Sequence, residues 1–91
     1  MKYITSWTLP TGEGYRATVA QFLKDGGQPP ASVKMIGRWH GTNGKGFMVA
    51  ESDDPKAVFT FFAQWQEFMD LDSTMAVDDT EAAAVLHSLF G

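Results

Sequence analysis

The chain is predicted to be an α+β domain, a four-stranded antiparallel sheet with two helices on one face, from three observations. Residues 33–40 and 47–52 read as two strands around an Asn43-Gly44 pair, a hairpin signal because both central positions of the tight turn need positive φ. Apolar residues recur with helical period at Tyr15, Val19, Phe22 and Leu23, and again at Val58, Phe61, Phe62, Trp65, Phe68 and Met69. Strand-like alternation brackets these segments at both ends of the chain.

The elements follow in order. Residues 2–9 alternate, with Tyr3, Thr5, Trp7 and Leu9 on one side, and their β-branched and aromatic content suits a pleated surface. Pro10 stops this strand, and Thr11 is the expected N-cap of a helix running to about Asp25. Gly26-Gly27 ends that helix, since glycine enters the left-handed cap without strain, and Gln28-Pro29-Pro30 makes a stiff connection. After the hairpin, Ser52 or Asp53 caps the second helix, Asp54 suits its positive end and Pro55 its first turn. Phe59 lies off the main stripe of this helix and is expected to be semi-exposed, marking a contact. Residues 71–77 form the last strand, with Leu71, Ser73, Met75 and Val77 on one side. Asp78-Asp79 caps a C-terminal tail helix, residues 79–90, with Val85, Leu86, Leu89 and Phe90 as its apolar edge.

The order β-α-β-β-α-β with right-handed crossovers gives a ferredoxin-like sheet in a single domain, residues 1–91. Its second face is bare. Seven Phe, three Trp and two Tyr are more large apolar surface than so small a core hides easily. A homodimer that packs the bare faces together, with a barrel-like interior, is therefore expected, the tail helix capping the barrel or clasping the partner.

Composition excludes several functions. A net charge of −4 with no basic cluster argues against nucleic-acid binding. No cysteine means no disulfide, thiolate metal site or cysteine nucleophile. No apolar run approaches the roughly 20 residues of a membrane span, and the N-terminal residues lack a signal-peptide pattern, so a cytoplasmic protein is expected. The only histidines, His40 and His87, lack ligand spacing, so no metal site and no cofactor is expected. The Asp53-Asp54 and Asp78-Asp79 pairs precede helices and are read as caps. The glycine-rich stretch 41–46 joins two strands rather than a strand and a helix, so it is a turn and not a phosphate cradle.

Chemistry concentrates in the hairpin. With Asn43-Gly44 as a two-residue loop, Arg38 faces Val49, His40 faces Phe47 and Ile36 faces Glu51. Arg38, His40 and Glu51 then share one face while Trp39, Met35, Met48 and Ala50 take the other, a register that a bulge would break. That trio can hold an anionic or enolisable ligand, with His40 as base, Glu51 tuning it and Arg38 as anion clamp. The plainer alternative is an Arg38–Glu51 ion pair with His40 a polar strand end. Trp7, Trp39 and Trp65 can line an apolar cavity between sheet and helices, or simply fill the core and a dimer interface.

Gly37-Arg38-Trp39-His40-Gly41, Glu51-Ser52-Asp53-Asp54-Pro55, Gln64-Trp65 and Met75-Ala76-Val77-Asp78-Asp79 together resemble an uncharacterised family of small bacterial proteins, a domain of unknown function in the dimeric α/β-barrel superfamily. The resemblance spans roughly residues 2–85, and Ala76 stands where members often carry proline. It implies the fold and the dimer, and brings no established activity. The functional expectation is a small homodimeric module holding a partly apolar or anionic ligand through Arg38, His40, Glu51, Trp7, Trp39 and Trp65. The alternatives are a cofactor-free monooxygenase or isomerase, with catalytic residues unassigned, and a purely structural or regulatory dimer.

Overall fold

The computed structural model describes residues 1–91. Its elements are β1 (Lys2–Thr8), α1 (Glu13–Asp25), β2 (Lys34–His40), β3 (Lys45–Glu51), α2 (Pro55–Trp65), β4 (Asp70–Ala76) and α3 (Asp79–Phe90). The strands form one sheet in the order β2-β3-β1-β4, and every neighbouring pair is antiparallel. This α+β arrangement is compatible with a ferredoxin-like fold.

The two faces of the sheet differ because strand side chains alternate. Thr5, Trp7, Met48 and Ala50 point inward and join Val58, Phe61, Phe62 and Trp65 of α2 in the core. Thr5 is fully buried, and its hydroxyl is matched by Ser73 of β4 at 2.9 Å, so this polar pair costs the core little. The opposite face carries Ile4, Val49, Phe47 and Trp39, and nothing in the chain covers it.

Helix starts and stops show where local chemistry decides and where it does not. Thr11 is not the cap of α1; Gly12 holds that position at φ 67 and makes no side-chain capping bond. Nor does α1 face the sheet with all of the expected stripe. Leu23 is 76% exposed, whereas Thr18 is the buried residue. The Thr18 hydroxyl lies 2.8 Å from the Gly14 carbonyl and 2.9 Å from that of Phe68, which ties α1 to the segment after α2. Asp54, rather than Ser52 or Asp53, caps α2, accepting from the Ala57 amide at 3.1 Å, and Pro55 takes the first turn. Asp53 instead meets the N-terminal ammonium at 3.1 Å, the one salt bridge in the chain. Phe59 is 76% exposed, further out than a semi-exposed contact residue. The tail helix begins with a complete capping box: Asp78 accepts from the Glu81 amide, and the Glu81 carboxylate accepts from the Asp78 amide.

The hairpin departs from the sequence expectation. The connection is the four residues 41–44 rather than Asn43-Gly44 alone, closed by the Gly41 amide on the Lys45 carbonyl, and only Gly44 has positive φ. A bulge at Ile36 then shifts the register between Met35 and Gly37. Arg38 faces Met48, Trp39 faces Phe47 and His40 faces Gly46. The expected partners of Arg38 and His40 are displaced by one residue, so these side chains change face, while Glu51 faces Lys34 instead of Ile36, which is left unpaired in the bulge.

Candidate functional site

The displaced register turns Arg38 and His40 inward, toward α1. Glu51 stays on the open face, in one row with Lys34 and Lys2, so the expected Arg38–His40–Glu51 trio does not exist, and neither does an Arg38–Glu51 ion pair. Trp39 also lies on the open face. It is 52% exposed and stacks on Phe47 with ring centroids 5.0 Å apart, and its indole runs over Gly37, where a side chain would collide with it.

Arg38 is held by the end of α1. Its guanidinium donates to the carbonyls of Gly27 at 2.7 Å and Gly26 at 3.0 Å, and it lies 4.9 Å from the centre of the Phe22 ring. Both carbonyls lie just past the last residue of α1, at its negative end, so a cation there is favoured. The paired glycines permit the arrangement. Gly26 and Gly27 have φ of 71 and 58, and a Cβ on Gly27 would lie 2.8 Å from the guanidinium. The Asp25 carboxylate closes the same turn by accepting from the Gly27 amide, and that bond, with help from Gln21, holds its pKa below the usual carboxylate value. Burial pulls the Arg38 pKa below its ordinary value, yet a guanidinium still keeps its proton. Arg38 is thus a strut between β2 and α1, not a free anion clamp. Arg38→Lys loses the planar fork and is expected to destabilise the fold by about 1.5–3 kcal/mol, measured by urea unfolding.

His40 occupies a different environment. Its ring lies 5.8 Å from Trp7 and 5.5 Å, edge-on, from Phe22, so its neighbours in the chain are aromatic. The contact with Trp7 crosses an intervening strand, because Gly46 stands between them: it pairs with Trp7 on one side and His40 on the other. A Cβ on Gly46 would lie 2.5 Å from the Trp7 ring. A missing side chain on β3 therefore lets two rings from the flanking strands meet.

Behind these rings a cavity of about 570 Å³ opens between the sheet and the two helices. Trp7, Phe22, Phe61, Phe62, Trp65 and Met69 form most of its wall, and Met48 and Leu71 its floor on the sheet. Its polar lining includes Tyr15, Thr18, Arg38, His40 and Thr42. Trp7, Trp65, Arg38 and His40 among the expected site residues line this space, whereas Trp39 and Glu51 do not. Tyr15, Phe22 and Met69 also line it but were not among the expected site residues; their helical spacing marked them as packing residues and nothing more. No group of His, Cys, Asp or Glu side chains is arranged to hold a metal ion.

A family model described as a domain of unknown function, DUF3303, matches residues 1–90. The chain belongs to this family. No curated protein and no solved structure matches it. Family membership therefore carries no activity to this DUF3303 chain, and its chemistry has to be argued from the cavity. No helix is long and apolar enough to cross a membrane.

Proposed function

We propose that this protein is a cytoplasmic, homodimeric small-molecule binding module of the dimeric α/β-barrel type, each subunit holding one largely aromatic ligand between sheet and helices. The observation that carries the reading is the cavity: about 570 Å³, walled largely by aromatic side chains, with His40 in its lining. That volume lies within the range of small-ligand sites, and an apolar wall with a few convergent polar groups is their usual composition. The ligand lays a flat apolar body against Trp7, Trp65 and Phe62 and directs a hydroxyl or carbonyl to the His40 imidazole. Since the guanidinium of Arg38 is committed to Gly26 and Gly27, the ligand's polar end is neutral rather than strongly anionic.

The dimer is supported by the uncovered sheet face, where Trp39, Phe47, Ile4 and Val49 form an apolar patch too continuous for a solitary domain of this size. A purely structural dimer would leave an aromatic cavity without use. A cofactor-free enzyme requires His40 to move a proton unaided, as no carboxylate lines the cavity to orient it.

The test uses 1-naphthol and naphthalene as probes in a Trp39→Phe background, so that quenching reports Trp7 and Trp65. Both probes are expected to quench, 1-naphthol more tightly. His40→Ala is expected to weaken 1-naphthol about two- to tenfold, the worth of one hydrogen bond, and leave naphthalene unchanged. Absence of quenching by either probe overturns the cavity as a binding site. Equal loss of both probes assigns His40 a packing role instead.

A further inference from the structure

We propose that α3 is an intermolecular clasp: it docks on the β2 edge of a second copy of this chain, its acidic first turn against Lys34 and its apolar stripe against Ile36. The inference rests on the dimer proposed above and goes beyond it by assigning α3 a partner and a place. α3 is built to form, with its full capping box, yet none of its residues is buried. Val85, Leu86, Leu89 and Phe90 are all more than half exposed, and the chain is drawn out to 52 × 28 × 18 Å. A helix with an apolar stripe needs a surface to cover, and this subunit offers it none.

Area argues that the surface belongs to a second copy. Four strands of seven residues present a face of roughly 23 × 19 Å, about 440 Å² in plan, against roughly 800 Å² per partner in a stable interface. The twelve-residue α3 offers about 18 × 10 Å more. In a two-fold dimer that helix counts twice for each subunit, once as the clasp and once as the surface clasped, which brings the contact to about 800 Å².

The sheet register names the landing place. Lys34, Glu51, Lys2 and Ala76 form one row from the β2 edge to the β4 edge. A two-fold axis running along the strands lays that row on its own reverse, so Ala76 of one copy, where the chain turns into α3, comes over Lys34 of the other. The same axis puts Ile4 of β1 over Val49 of the partner's β3. An axis across the strands would instead lay β4 on the partner's β4 with its rows inverted, bringing Ala76 and the acidic start of α3 over Asp70 of the other copy, like charge beside like. With the strand-parallel axis, Asp79 and Glu81 begin α3 beside Lys34, which has no ion-pair partner in its own subunit. Beyond it stands Ile36, pushed out by the bulge and 50% exposed at the sheet edge.

Sedimentation equilibrium on the full chain tests this with a charge-reversal cycle. Lys34→Glu and Asp79→Lys are each expected to weaken dimerisation about tenfold, since every pair occurs twice, and the double variant to recover most of the loss. Leu89→Glu, which leaves the capping box intact, is expected to weaken the dimer without lowering helix content. A wild-type dimer whose affinity is untouched by these changes overturns the clasp and leaves the sheet interface standing. A strictly additive cycle overturns the Lys34 landing place. A monomeric wild type at tens of micromolar overturns both.

Discussion

Gly46→Ala is expected to lower the unfolding midpoint by about 5–20 °C, a loss of roughly 1–3 kcal/mol in a domain of this size. The reason is steric alone, for Gly46 does not have positive φ. A Cβ there would lie 2.5 Å from the Trp7 ring and 2.6 Å from the Trp39 carbonyl, and the second of these is backbone that cannot swing away. Trp7 must then leave its place against β3, and His40 loses the ring it leans on. Total stability is only about 5–14 kcal/mol for a chain of this length, so the loss is a large fraction. Thermal unfolding followed by near-ultraviolet circular dichroism measures it. A Trp7→Leu change in the same chain is expected to recover part of the midpoint, because the smaller side chain makes room for the methyl. An unchanged midpoint for Gly46→Ala would mean that Trp7 does not lie over Gly46.

Phe47→Glu is expected to dissociate the dimer while leaving the subunit folded. Phe47 is 48% exposed in the subunit and stacks only on Trp39, so a carboxylate there remains wet in a monomer. In a face-to-face dimer the substitution occurs twice, and with the strand-parallel axis each copy buries an unpaired charge against Ser6 of the opposite sheet. A buried unpaired charge costs about 3–5 kcal/mol, so two raise the dissociation constant by more than about a thousandfold. Sedimentation velocity against concentration reads this directly, with far-ultraviolet circular dichroism verifying the fold. An unaltered sedimentation coefficient would place the interface elsewhere.

Both predictions depend on which residues share a face, and this is where sequence and structure part. Strand and helix existence was legible throughout: the Val58–Phe61–Phe62–Trp65 stripe is buried as its period requires, and Asp78 caps the tail helix. Most boundaries moved by a residue or two, as at Asp70–Ala76 against the expected 71–77, but α2 ends at Trp65, so Phe68 and Met69 of its expected stripe lie in the turn that follows. Helix α1 was less legible, because its inward face is held partly by the Thr18 hydroxyl rather than by apolar residues alone. The site was legible in its residue types and not in its grouping. Arg38, His40, Trp7 and Trp65 line the cavity, but Glu51 and Trp39 were assigned to it through a turn type the chain does not adopt. An Asn-Gly pair favours a two-residue loop; here Gly41 closes a longer one, and nothing in the local sequence signals that choice.

The sequence by itself determined the order of the elements, their helical and strand periods, and the caps at Asp78 and Gly26, because these follow from interactions within a few residues. Only the tertiary structure decided that Arg38 spends its donors on the end of α1, that His40 reaches Trp7 across Gly46, and that Glu51 faces away from both. The physical reason is the two-residue period of a strand. One extra residue at Ile36 and a longer hairpin loop reverse the side to which each following side chain points, and the packing of β2 against α1 and β3 selects which reversal survives.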